Sequence, residues 1–252
     1  MRFDVAIPCF FKDVDFCDAV RKVHSLGFDC VETYQWQNLN TERVRATCLE
    51  EGVELLSICT SDFRMTDPSC RKDWLQALRE SCAAAKALGA SRLITQVGKD
   101  TGEERARQHA FVVEALKEAK PILEESGLIL MIEPLNAKVD HQGYFLPSSK
   151  EAFDMIREAD HPWVKVVYDI YHQQISEGDI LPTILANMDL IAHLHAAGHP
   201  GRHELWTGEV NYPFVFETLD RAGYAGACGL EYFPVSDPET SLRQVWERYC
   251  KV

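Results

Sequence analysis

The chain has 252 residues, 46% hydrophobic and 26% charged, which supplies one large core and leaves no low-complexity linker. Its 26 basic and 39 acidic side chains give a formal charge of -13 that opposes the counterion release behind nucleic-acid binding, and no Lys/Arg stripe offsets it. Met1-Arg2-Phe3-Asp4 carries no signal-peptide pattern and no apolar run nears the roughly 20 residues of a bilayer span, so a cytoplasmic protein with a small-molecule partner, and neither nucleic acid nor membrane, is expected.

Along the chain, β-branched and apolar runs predict strands at 3–8, 29–33, 53–59, 92–97, 129–133, 164–169, 191–196 and 228–232. Amphipathic segments predict helices between them, at 13–26, 40–51, 69–88, 102–126, 148–159, 171–188, 212–223 and 238–250. Asn40 before Thr41-Glu42, Ser148 before Lys150-Glu151 and Asp237-Pro238 read as helix starts. Glycine recurs where helix gives way to strand, as in Leu26-Gly27-Phe28, Glu51-Gly52-Val53, Leu88-Gly89-Ala90 and Ser126-Gly127-Leu128, the place where a helix must turn left-handed. Eight alternations predict a single α/β domain over 1–252, a (β/α)8 TIM barrel. An open doubly wound sheet uses the same alternation, but no glycine-rich nucleotide loop follows the first strand, where the chain reads Pro8-Cys9-Phe10-Phe11.

The nine cysteines are odd in number, scattered and free of any Cys-x-x-Cys pair. Cys17, Cys30, Cys48 and Cys82 fall in helix or strand patterns, where a reduced thiol serves as a small apolar filler.

Four strand ends carry metal-ligand side chains: Glu133, Asp169, His195 and Glu231, spaced by 36, 26 and 36 positions. On strands five to eight of one barrel they converge at the rim where barrel enzymes do their chemistry. Two Glu, one Asp and one His make a mostly oxygen-donor site for one divalent metal ion, suited to Mn2+, Mg2+ or Co2+ rather than to thiolate-bound structural zinc. The longest loops at this end, Pro134 to Leu146 and Ala197 to Asn211, are polar and aromatic, as substrate-covering loops are. Trp36, with Phe10 and Trp206, is a candidate apolar wall for the carbon face of a sugar. Glu32 and Gln96 end other strands within reach of hydroxyls, and Lys99 is placed to pair with a distal acidic group.

Ile132-Glu133-Pro134-Leu135-Asn136, Tyr168-Asp169-Ile170-Tyr171-His172, His193-Leu194-His195, Gly201-Arg202-His203-Glu204, Thr207-Gly208-Glu209-Val210-Asn211-Tyr212 and Glu231-Tyr232 together resemble the xylose isomerase-like barrels, within them the hydroxypyruvate isomerase and ketose 3-epimerase branch. The resemblance is densest over 128–235. It implies proton transfer through a metal-bound cis-enediolate, with Glu133 and Glu231 as paired acid/base groups, the metal on Glu133, Asp169, His195 and Glu231, and substrate oxygens on His172 and Arg202. It further implies a small sugar or keto acid as substrate and a homodimer or tetramer. Asp140, His141, Glu204 and Glu209 lie in the long loops as candidate braces.

The same superfamily holds endonuclease IV-type nucleases, but the expected Asp two residues before His203 is Gly201, and histidines expected at strands three and four are replaced by Cys59-Thr60-Ser61 and Gln96. Lyases acting on inososes or dehydroshikimate use a similar site. A binding protein without turnover is a third reading, against which the pair Glu133 and Glu231 argues.

Overall fold

The structure, a computed structural model, describes residues 1–250. Eight parallel strands form a closed barrel in chain order: β1 Arg2–Ala6, β2 Cys30–Thr33, β3 Glu54–Cys59, β4 Arg92–Thr95, β5 Ile129–Ile132, β6 Val164–Asp169, β7 Ile191–Ala196 and β8 Ala227–Leu230, with β8 paired back to β1. Around them run α1 Ile7–Phe10, α2 Phe16–Ser25, α3 Thr41–Glu51, α4 Arg71–Leu88, α5 Arg105–Glu118, α6 Lys120–Ser126, α7 Ser149–Ala159, α8 Ile170–Ser176, α9 Ile180–Ala186, α10 Tyr212–Arg221 and α11 Pro238–Val245. No helix of the described residues is long and apolar enough to cross a membrane.

The helix signals act as their chemistry dictates. Asn40, Ser148 and Asp237 accept from the backbone N–H groups of Arg43, Glu151 and Thr240, satisfying donors left over at the starts of α3, α7 and α11. Gly52 and Gly127 end α3 and α6 in the left-handed region, at φ 68° and 70°. Two predicted helices are each split in the structure. The 102–126 segment breaks at Ala119 because Pro121 has no N–H to give and crowds the preceding turn. The 171–188 segment breaks at Gly178 and Asp179, both at positive φ. The first strand stops at Ala6, two residues early, because Pro8 opens the short α1.

Side chains alternate along each strand, so one set faces the helices and the other the lumen. Val5, Val31, Leu93, Leu130, Val166 and Leu194 belong to the main core between sheet and helices. Inside the barrel, Ile94, Met131 and Val167 pack together and Cys30, Leu56 and Ala227 form a second small cluster. Asp4, Glu32, Ser57 and His193 are also buried, giving the lumen a polar middle. Cys17, Cys30, Cys48 and Cys82 are free and buried.

Gly98, just beyond β4, holds a tight approach of two rim loops. Its φ is 119°, and an added Cβ would lie 2.6 Å from Phe63 O and 2.7 Å from Thr66 Oγ1. Gly98→Ala is expected to cost about 1–3 kcal/mol, read as a lowered midpoint in chemical denaturation; an unchanged midpoint would show that the loops give way freely.

Candidate active site

Strand parity builds the site. Met131 and Glu133, Val167 and Asp169, His193 and His195, Gly229 and Glu231 are i, i+2 pairs on the lumen face, so each strand ends with its second inward residue at the rim. Asp169 and His195 are register partners, as are His195 and Gly229. Glu133 and Glu231 sit one residue past their strands, anchored by backbone bonds to Thr95 O at 3.1 Å and Ala196 O at 3.2 Å. The structure thus brings Glu133, Asp169, His195 and Glu231 together, with one ligand atom from each inside a 4.8 Å span.

His195 is the hub. Its Nδ1 lies 3.0 Å from Glu133 Oε1 and 3.2 Å from Glu231 Oε2, while its Nε2 lies 3.1 Å from Glu32 Oε1. Burial opposes a charge on the ring, yet Glu32, Glu231 and Glu133 outweigh it and hold the imidazole well above its ordinary range. The two rim glutamates part company. Burial, opposed by His195 and reinforced by Glu231 and Asp169, pushes Glu133 up to about 7. Burial also works against Glu231, but Arg202 and then His195 pull it down to about 2. Arg202 Nη2 donates to Glu231 Oε2 at 2.6 Å and lies 3.6 Å from Asp169 Oδ2.

Arg202 reaches the rim because Gly201 and Arg202 itself take left-handed backbone conformations, at φ 100° and 57°, folding the β7–α10 loop inward. Its guanidinium lies 5.2 Å from the Tyr171 ring centre. His172 is fully buried on α8, whose first turn is capped by Asp169 through a 3.1 Å bond from His172 N. Asn136 Nδ2 donates to His172 Nδ1 at 2.6 Å, which leaves the proton of the neutral ring on Nε2, 3.5 Å from Asp169 Oδ2. Burial lowers this ring to about 4, so neutral is its state near pH 7. Asp140 in turn accepts from Asn136 at 2.7 Å and from Tyr171 at 2.9 Å.

A chamber of about 320 Å3 opens on this cluster. Tyr34, Phe63, Ile94 and Phe233 give it apolar walls, and Gln96, His141 and Arg202 add polar ones. Three aromatic candidates lie elsewhere. Trp36 donates its indole N–H to Cys59 O at 2.7 Å, Phe10 packs edge-on to Tyr232, and Trp206 lies under Arg248, so none of the three lines the chamber. Lys99 lines an adjoining groove that shares Phe63, Gln96 and His141 with the chamber. Glu204 accepts from Val235 N and Ser236 N at 3.0 and 3.2 Å and pins the loop after β8, while Glu209 accepts from Gln174 at 2.9 Å.

Sequence reading passed over Tyr34, Phe63 and Phe233, which sit in irregular loops without a periodic pattern, and the role of Asn136 in fixing the His172 ring. It also passed over Asp4 and His193. Each is a polar residue on the inward parity of its strand, a signal that was available.

The donor set suits a divalent cation. Three carboxylates crowd one imidazole, and Asp169 Oδ2 is buried without a hydrogen-bond partner. Without metal, Glu133 holds a proton up to about pH 7 that an unfolded chain releases near 4.5, and His195 holds one above its unfolded value of 6.5. In both windows the native state binds more protons than the unfolded state, so stability falls as pH rises. The midpoint of chelator-treated protein is expected to drop from pH 5 to 8 and that of metal-loaded protein to drop less; parallel curves would exclude a cation in contact with these groups.

The family model for the xylose isomerase-like TIM barrel matches residues 20–251. A 2-oxo-tetronate isomerase of Cupriavidus necator is 34% identical, with 96% of each chain covered. The hydroxypyruvate isomerase of Escherichia coli K12 is 29% identical over 96% of this chain and 97% of that one. Among solved structures, an AP endonuclease, family 2, from Brucella melitensis superposes with a TM-score of 0.92 at 25% identity over 98% of both chains. With the match spanning nearly its whole length and eight parallel strands closed in chain order, the chain belongs to the xylose isomerase-like TIM barrel family.

Proposed function

We propose that the chain is a divalent-metal-dependent isomerase or epimerase of small ketoses or hydroxy keto acids. The reading rests on one observation above all: two rim carboxylates, Glu133 and Glu231, meet at His195 Nδ1, 3.0 and 3.2 Å from it. Moving a proton between carbons needs one group that takes it and one that gives it. The relatives named for hydroxypyruvate and 2-oxo-tetronate support a keto-acid substrate.

Glu231, kept ionised by Arg202, is the base that removes the proton on the carbon beside the carbonyl. The bonding electrons pass to the carbonyl, giving an enediolate. Glu133 lies across His195 Nδ1 from Glu231 and is the partner carboxyl that returns a proton, drawn from a substrate hydroxyl or water once a bound cation has displaced its own. Return to the neighbouring carbon, with the hydroxyl proton passing to the former carbonyl oxygen, isomerises the substrate; return to the same carbon from the other face epimerises it. His172 offers Nε2–H to the oxygen that gains charge, its ring set by Asn136. Arg202 orients Glu231 and presents the rest of its fork to substrate oxygen. A divalent ion such as Mn2+, Mg2+ or Co2+ on Glu133, Asp169, His195 and Glu231 supplies Lewis acidity that makes the carbon acid easier to ionise.

Glu231→Gln is expected to keep the fold by circular dichroism and lower kcat by about 10²–10⁴-fold; near-normal turnover would remove it from proton transfer. In D2O, a panel of ketoses and keto acids with Mn2+-loaded protein is expected to give product deuterated beside the carbonyl, with activity lost to EDTA and restored by Mn2+ or Co2+. Full activity in metal-free protein, or dehydrated products in place of exchanged isomers, would overturn the assignment.

A further inference from the structure

Beneath the rim, Asp4, Glu32 and His193 meet in the middle of the lumen. Asp4 and His193 are fully inaccessible to solvent, and Glu32 is nearly so. Neither oxygen of Asp4 and neither ring nitrogen of His193 has a hydrogen-bond partner, though all four atoms are buried. Buried polar groups in folded proteins are as a rule satisfied by protein, water or ion, so four orphans on two facing side chains call for a shared occupant. Among the described residues no Lys or Arg nitrogen lies within salt-bridge reach of either carboxylate. Arg92 spends Nη1 on Ala192 O at 2.8 Å.

The spacings fit an ion better than direct bonding. His193 Nε2 is 3.4 Å from Glu32 Oε2 and 3.6 Å from Asp4 Oδ1, too long for good hydrogen bonds. Donors held at the usual zinc distances in a tetrahedron sit about 3.3–3.6 Å apart. The three residues whose ligand atoms lie within 4.8 Å of one another are Glu32, His193 and His195, and Asp4 joins them through His193 Nε2. Beside them β8 carries Gly229, where an added Cβ would lie 2.8 Å from Glu32 Oε1 and 3.1 Å from His193 Nε2, so the missing side chain keeps the space clear. Ser57 Oγ donates to Glu32 Oε2 at 2.8 Å and steadies the carboxylate. Glu32 also lines the rim chamber, which gives an ion a way in.

We infer that the barrel holds a second divalent-cation site, formed by Asp4, Glu32 and His193, one level below the rim and coupled to it through His195. Two carboxylates and an imidazole suit Zn2+ or Co2+. His195 keeps Nε2–H on Glu32 Oε1 and turns Nδ1 to the rim, so Glu32 is the group that both sites share. The inner site does not depend on the reaction assigned to the rim.

The test is metal stoichiometry. Metal-free protein is reloaded with Zn2+, desalted and counted by mass spectrometry, in wild type, Asp4→Asn, His193→Gln and Asp169→Asn. Two equivalents are expected in wild type, one in each single variant and none in Asp169→Asn combined with His193→Gln. If the rim reading alone fails, wild type binds one equivalent that His193→Gln removes and Asp169→Asn does not, and the inner site stands. A count that is the same in wild type, Asp4→Asn and His193→Gln overturns it and leaves a shared proton or water between the carboxylates. Should those variants fail to fold, anomalous scattering from Zn2+-soaked wild-type crystals decides: a peak among Asp4, Glu32 and His193 supports the site, and its absence ends it.

Discussion

Mutual repulsion among buried carboxylates is the constraint around which this barrel is organised. Glu133, Asp169 and Glu231 stand around one imidazole at the rim, and Asp4 and Glu32 stand below it. In a medium of low dielectric such a set holds together only if cations or protons are interposed. The protein supplies some of that compensation itself. His195 carries charge against its burial, and Arg202 reaches in on a left-handed loop to pair with Glu231. What remains uncompensated gives Glu133 its hold on a proton. The same repulsion that weakens the fold makes the site ready for a divalent ion and sets two chemically identical side chains apart in their hold on a proton.

Much of this was legible in the sequence, because parity and topology are simple rules. Eight helix–strand alternations with glycines at the junctions specify the barrel, and a ligand-type residue at the end of each of the last four strands must then share a rim with the others. The breaks at Pro121 and Gly178 lay in view, yet amphipathic period alone ran straight through them. The chamber walls were less accessible. Trp36 looked like a wall from its position after β2, but its indole N–H finds Cys59 O, and that bond turns the ring away. Tyr34, two residues earlier, faces the chamber instead. Which of two neighbouring aromatics lines a cavity depends on loop backbone geometry and on which polar tip finds a partner, and neither is written in a hydrophobic pattern.

Asn136 and Asp140 show how a loop sets chemistry it does not perform. Asp140 is held by Tyr171 OH, Asn136 donates one amide hydrogen to Asp140, and Asn136 Nδ2 also faces His172 Nδ1. With Nδ1 occupied as an acceptor, the neutral ring has only Nε2–H to offer, and burial keeps it neutral. A histidine that stays neutral and presents one fixed proton is a hydrogen-bond donor rather than a titrating base. In the proposed reaction this leaves proton transfer on carbon to the glutamates and gives His172 the oxygen that gains charge.

The lumen itself sharpens the contrast with an ordinary barrel. A core filled by branched apolar residues would be the more stable arrangement, since replacing buried polar groups by well-packed apolar ones is often neutral or favourable. Here the buried apolar packing inside falls in two small clusters, Ile94 with Met131 and Val167, against which Cys59, Ile129 and Ala192 pack, and Cys30 with Leu56 and Ala227. Between them β8 gives up a side chain at Gly229, in the place nearest Glu32, His193 and His195. A missing side chain beside three buried polar groups is the reverse of what packing alone would favour. The polar middle runs from Asp4 through His193 and Glu32 to His195 and the rim carboxylates, each step 3.6 Å or less, and one imidazole, held by Glu32 below and Glu133 and Glu231 above, joins the two levels.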